Sequence, residues 1–188
     1  MPKRYMWMND GDNKMTDKSY EIKNKNLRLV KVDTDNFYEL SLLSVNDDQK
    51  GFVADNVFSL ALAYATVAEG RFAQAFGIYD GDTPVGFVMI GFNNVFGCKD
   101  EVPDFIKNNY LIWRFMIDKK YQKKGYGKDG VKLVLDYIRT FPAGKAEYCW
   151  LSYEPENETA RELYRSFGFK EREDYYYEGY EMPAVLKL

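Results

Sequence analysis

The stretch from Tyr110 to Thr140 constrains this 188-residue chain more than any other, because its periodicity changes twice within it. Leu111, Ile112, Trp113, Phe115, Met116 and Ile117 make a nearly unbroken apolar run, the pattern of a strand covered on both faces. Asp118 to Gly130 is polar and cationic. Val131, Val134, Leu135 and Ile138 then fall at the i, i+3, i+4, i+7 spacing of an amphipathic helix. A strand, a basic glycine loop and a helix in that order place the loop at a helix N-terminus. There the first-turn N–H groups lack partners inside the helix and the macrodipole puts partial positive charge, so the site favours an anion. Gly125 and Gly127 let the backbone curl around one, and Gln122, Lys123, Lys124 and Lys128 add donors and charge. The expected ligand carries a pyrophosphate; the plain alternative is a solvated basic turn.

Two glycine patterns share this loop. Gly125, Gly127 and Gly130 have the G-x-G-x-x-G spacing of the dinucleotide fingerprint. That fingerprint needs its first glycine close to the strand end, and an acid closing the next strand roughly twenty residues on. Here a polar loop intervenes, and the nearest acid, Glu147, would open the next strand. The second pattern, Gln122-x-x-Gly125-x-Gly127 between a strand and a helix, fits at every position.

Composition narrows the chemistry. The length suits one domain with a good core. The net charge of −3 argues against a general nucleic-acid binder. The chain has no histidine, and its two cysteines, Cys98 and Cys149, lack metal-site spacing. Ser-His and Cys-His nucleophile systems and histidine-containing zinc sites are therefore excluded, and no metal is expected. No signal-peptide core and no apolar run of membrane-spanning length is present, so a cytoplasmic protein with reduced thiols is expected.

Residues 1–26 are rich in Lys, Asn and Asp without sustained period and read as a polar, partly disordered extension. The core domain is then 27–188. Leu27 to Val32 alternates as a half-buried strand. Asp33, Thr34 or Asp35 can cap a helix carrying Phe37 and Leu40, and Phe52 to Ala68 reads as a second helix. Ala73–Tyr79 and Pro84–Phe92 flank Asp80-Gly81-Asp82, a hairpin signal. Asn93 to Asn109 is a long connection. After the organising strand and helix come a strand from Ala146 to Tyr153, a helix with Ala160, Leu163, Tyr164 and Phe167 on one face stopped by Gly168, and a last hairpin around Glu178-Gly179. The order β-α-α-β-β-β-α-β-α-β-β predicts an α/β layered sheet.

Gln122-x-x-Gly125-x-Gly127, together with Asn157 early in the later helix and Leu163-Tyr164-x-x-x-Gly168-Phe169 at its end, resembles the two signatures of the GNAT superfamily of N-acetyltransferases. The resemblance covers essentially 27–188. It implies a mixed, mostly antiparallel sheet of six or seven strands flanked by helices, with central strands splayed apart. It also implies acetyl-CoA as co-substrate, lying in the splay. The backbone of Phe115, Met116 and Ile117 would then pair with the pantetheine amides as a pseudo-strand. The amides of Lys123, Lys124, Gly125, Tyr126, Gly127 and Lys128 would cradle the pyrophosphate, with Gln122 beside them. Asn157 would contact the pantetheine arm or simply cap its helix, and Arg161 would reach the cofactor or pair with Glu158 or Glu162. Tyr164 would be the general acid for the leaving thiolate, or else a core aromatic, and a strand N–H near Met116 or Ile117 would stabilise the carbonyl oxygen.

An aliphatic ammonium must lose a proton before it attacks, since its pKa is near 10. Some members of the superfamily carry a glutamate on the organising strand for this, but here that region reads Tyr110-Leu111-Ile112. Glu154 is the candidate base, directly or through water; the plain reading makes it part of a polar turn. Within the superfamily, Phe52 to Ala61, Ile78 to Met89 and Trp113-Arg114-Phe115-Met116-Ile117-Asp118 are similar to bacterial spermine/spermidine acetyltransferases. A small-molecule amine, a polyamine above all, is the acceptor this implies, with Asp47, Asp48, Asp55, Glu154, Glu178 and Glu181 as candidate carboxylates. Amine antibiotics, protein amines and a non-catalytic CoA sensor are the alternatives. Neither nucleic acid nor membrane is an expected partner. Dimers are common in the superfamily, so a homodimer is an assembly the resemblance allows.

Overall fold

The structure is a computed structural model that describes residues 20–21, 26–95 and 102–188. Its elements are β1 (Tyr20–Glu21), β2 (Leu27–Lys31), α1 (Phe37–Ser41), α2 (Asn56–Ala68), β3 (Phe72–Asp80), β4 (Thr83–Phe92), β5 (Tyr110–Ile117), α3 (Tyr126–Ile138), β6 (Tyr148–Tyr153), α4 (Glu158–Ser166), β7 (Lys170–Glu171) and β8 (Met182–Lys187). From β2 onward the order is the one expected from periodicity. They form one sheet ordered β1-β2-β3-β4-β5-β6-β8-β7. Six strands have five or more residues, and β1 and β7 have two each. β1 lies within the segment expected outside the core and pairs with β2 through Tyr20 and Leu29. The rest of the extension and Cys98 fall outside the described residues.

All neighbours are antiparallel except β5 and β6, which run parallel and pair only through Tyr110↔Cys149 and Leu111↔Trp150. Two residues of contact cannot hold two strands side by side, so they diverge. A bulge adds to the divergence: Met89 faces Arg114 and Ile90 faces Ile112, leaving Trp113 as the extra residue on β5. Bulges bend and twist the strand that carries them.

Two apolar layers sandwich the sheet. On one side α3 buries Val131, Val134, Leu135 and Ile138 against Ile78, Val88, Ile112 and Leu151. Gly130 permits that approach, because a Cβ there would come 3.1 Å from the Phe115 ring. On the other side Ala63 of α2 packs with Phe87, Met89 and Met116.

Three local expectations differ. The N-cap of α1 is Asn36, because the Asp33 carboxylate accepts the N–H groups of Asp35 and Asn36 and forms a turn before the helix. α2 begins at Asn56 rather than Phe52, since Asp55 caps it by accepting the Phe58 N–H at 2.6 Å. The final hairpin is interrupted: a 3-10 turn at Glu173–Tyr175 follows β7, with the Arg172 guanidinium bonded to Asp174 and stacked 4.9 Å from Phe105 and 4.6 Å from Tyr175.

Candidate active site

Beyond Leu111 the diverging strands open into a cleft of ≈ 510 Å³. Ile112 to Ile117 form one wall, and Ser152 and Tyr153 of β6 with α4 form the other. Successive residues of a strand turn their backbone polar groups to opposite edges. The carbonyl of Met116 faces Gly86 on β4, and the Asp118 N–H donates to Val85 there, while the Ile117 carbonyl accepts from the Gln122 side chain at 3.0 Å. The backbone groups of Phe115 and Ile117 therefore face the cleft, and those of Met116 do not.

At one end of the cleft stands the basic loop. Gly125 is the N-cap of α3 with φ 87, and no side chain caps the helix there. Lys123 is also left-handed, φ 60. Gln122, Lys123 and Gly127 line the cleft. Gln122 is fixed by donating to Gln49 Oε1 at 2.8 Å and accepting from Asn46 at 3.0 Å. Lys124, Gly125, Tyr126 and Lys128 do not line it. The Lys124 ammonium donates to the Lys120 carbonyl at 2.8 Å and lies over Tyr121, and the Tyr126 hydroxyl donates to Asp80 at 2.6 Å. A helix start with no side-chain cap, positive-φ backbone and a strand edge from which the neighbouring strand has parted are together the features a chain of amides ending in a pyrophosphate would fill.

On the opposite wall Asn157 lines the cleft and caps α4, accepting the Ala160 N–H at 3.1 Å. Tyr164 lines it too. Its ring is buried between Tyr153, nearly parallel at 6.0 Å, and Phe169, edge-on at 5.7 Å. Among the described residues its hydroxyl has no hydrogen-bond partner. Burial pushes its pKa well above the ordinary phenol value, with smaller contributions from Cys149 and Tyr153, so the hydroxyl keeps its proton at neutral pH. Arg161 does not line the cleft: it pairs with Glu171 at 2.7 Å and Glu158 at 3.2 Å, so its sequence alternative of a surface pair is the one the structure contains, with Glu171 in place of Glu162.

A model of the acetyltransferase (GNAT) family matches residues 35–169, more than half of the chain. This chain belongs to that family. It is accordingly an acetyl-CoA-dependent N-acetyltransferase, with acetyl-CoA as its co-substrate, and Gly130, the third glycine of the dinucleotide spacing, packs against Phe115. The spermine/spermidine N(1)-acetyltransferase of Bacillus subtilis (strain 168) is 27% identical over 144 residues, 70% of this chain and 88% of the relative. The fold is shared with an uncharacterised protein of Bacillus halodurans (TM-score 0.71, 10% identity, 93% of this chain and 92% of that one). It is also shared with spermidine N-acetyltransferase of Vibrio cholerae, solved with CoA and spermine (TM-score 0.57, 18% identity, 87% and 95%).

The far end of this GNAT cleft departs most from the sequence reading. Glu154 is half-buried beyond β6, its carbonyl accepting the Asn157 N–H, and does not line the cleft. Nor do Asp47, Asp48, Asp55 and Glu178; Asp47 pairs with Lys50 and Asp55 caps α2. Of the candidate carboxylates only Glu181 lines the cleft, held by the Ser152 hydroxyl. Arg114, not singled out as a site residue from sequence, also lines the cleft, from the β5 wall. Its Nη1 donates to its neighbour's carbonyl at 2.7 Å, while its buried Nε has no partner among the described residues. Burial lowers its pKa and Glu181 opposes that. The bulge at Trp113 decides which way Arg114 faces, and no local sequence signal announces a bulge. Cys149 is a buried free thiol whose pKa burial pushes up, so it is no nucleophile. Among the described residues no acidic or sulfur cluster is placed to hold a metal, and no helix is long and apolar enough to cross a membrane.

Proposed function

We propose that this enzyme moves the acetyl group of acetyl-CoA directly to a primary amine of a small molecule, of the polyamine class, with Tyr164 as general acid. The observation that carries it is the Tyr164 hydroxyl, without a hydrogen-bond partner among the described residues, in the cleft opposite the β5 wall. The co-substrate supplies an activated acyl thioester. Phe115 and Ile117 would hold its amide arm by their backbone groups, Lys123 and the start of α3 its phosphates, and Asn157 the arm from the other wall. Tyr164 gives its proton to the sulfur as the carbon–sulfur bond breaks and the carbon–nitrogen bond forms. No residue forms a covalent bond to the acyl group.

Glu181 would hold an acceptor ammonium, with apolar groups such as Phe52 and Val53 against its methylenes. Glu154 would take the amine's proton only through water, given its place outside the cleft. The polyamine class is supported by the Bacillus subtilis relative. A cytoplasmic location fits the free thiol of Cys149.

Thiol release from acetyl-CoA, with spermidine, spermine, simple diamines, an aminoglycoside and a lysine peptide offered separately, tests the reading. Polyamine-dependent release is expected, and release with another acceptor alone overturns the polyamine class. Tyr164→Phe should lower kcat by about 10²-fold while leaving KM for acetyl-CoA within about twofold, the signature of a group acting in the transition state. Unchanged turnover removes Tyr164 from the chemistry.

A further inference from the structure

Tyr164 reaches the cleft from α4, a helix of nine residues. Isolated helices of that length are not stable, so tertiary contacts must fix where its side chains point. Those contacts form a closed ring. Tyr164 lies against Tyr153 of β6, the planes only 24° apart. The Tyr153 hydroxyl donates to Glu171 Oε1 of β7 at 2.7 Å. The same oxygen accepts from Arg161 Nε at 2.7 Å, and Arg161 stands on α4 one turn before Tyr164. The ring lies at the surface but is partly covered: the side chains of Arg161 and Glu171 are 30% and 17% exposed.

We propose that Tyr153, tethered by Glu171 and Arg161, is the positioning residue for Tyr164, holding its ring so that the hydroxyl stays at the place where the sulfur leaves. This rests on the reading of Tyr164 as general acid. A phenol ring stacked on one neighbour can slide over it, because stacking is broad in geometry and weak in energy. A charge-assisted hydrogen bond to a carboxylate that a guanidinium already holds is directional, and it removes that freedom from Tyr153 and so from the ring on top of it. The ring also spans three elements. β6 brings Tyr153 after the divergence from β5, β7 brings Glu171, and α4 brings both Arg161 and Tyr164, so the acid is registered against the cleft wall rather than against its own short helix. Arg161 and Glu171 thereby have a function without touching the co-substrate.

A double-mutant cycle tests this, because a residue that acts only through Tyr164 has no effect once that hydroxyl is gone. Tyr153→Phe keeps the ring and removes the tether. It should lower kcat by roughly 5- to 50-fold, within the range a displacement of about 1 Å produces, with KM for acetyl-CoA unchanged. In the Tyr164→Phe background the same substitution should change kcat less than about twofold. Glu171→Gln, which weakens the tether from its other end, should follow the same pattern. Rates are read as thiol release with spermidine and, without any amine, as hydrolysis of acetyl-CoA, which expels the same thiolate.

A second readout needs no co-substrate. With tyrosine labelled at Cζ with 13C, the Tyr164 resonance, assigned by its loss in Tyr164→Phe, should shift or broaden in Tyr153→Phe. Equal losses in both backgrounds, or an unmoved Tyr164 resonance, overturn the positioning role while leaving the acid reading intact. Unchanged turnover in Tyr164→Phe itself overturns both.

Discussion

At the scale of single residues, backbone angle and burial decide more than side-chain charge. Gly125 at φ 87 is the residue that lets the basic loop turn into α3 with its amides open. Gly125→Ala should lose about 1 kcal/mol of stability, the penalty of a left-handed L-residue, and weaken CoA binding measured by calorimetry; loss of neither would mean that this turn does not shape the phosphate end. The sequence announced this residue because glycine in a Gln-x-x-Gly-x-Gly spacing is a local signal. The place of Tyr164 in the cleft was legible for the same reason, inside Leu-Tyr-x-x-x-Gly-Phe. Arg114, Ser152 and Glu181 were not legible as a group: they come from β5, β6 and the residue just before β8, and only strand register brings them to one end of the cleft.

At the scale of elements, periodicity reached the order of strands and helices from Leu27 on, and turn chemistry reached the β3–β4 hairpin. It missed the edge strand β1, whose two residues pair with β2, and it placed the start of α2 four residues early because Phe52 and Val53 are apolar for the sake of the cleft. α4 shows how one residue can serve an element and a site together. Asn157 caps it and also lines the cleft. Asn157→Ala should cost about 1 kcal/mol in urea unfolding through the lost cap, whereas Asn157→Ser should restore most of that. Acetyl-CoA affinity that stays low in Asn157→Ser would assign the side chain a contact to the co-substrate; affinity recovered along with stability would make it a cap alone.

At the scale of the whole molecule, the polar ring around Glu171 makes stability depend on acid. Its carboxyl is held below the usual range, chiefly by the hydrogen bond from Arg161 and then by Tyr153 and the nearby charge of Arg165, against the opposing effect of burial. A folded-state pKa below the unfolded one contributes stability that is present above the unfolded value, about 4.3 for a glutamate, and is lost as pH falls through the folded value. The urea midpoint of the native protein should therefore drop more steeply below about pH 4.3 than that of Glu171→Gln, and parallel curves would show that this carboxyl does not tie the strands together. The carboxylates Asp47 and Asp174, also held low by cationic neighbours, contribute equally to both curves and cancel in the difference.

The two-residue contact between β5 and β6 has a consequence for how often the enzyme can act. What the parted strands and the basic loop would grip is the long nucleotide arm, and that arm is the same before and after the acetyl group has gone. The spent carrier would then fit almost as well as the loaded one, and the cycle could restart only as fast as the seam lets go of it.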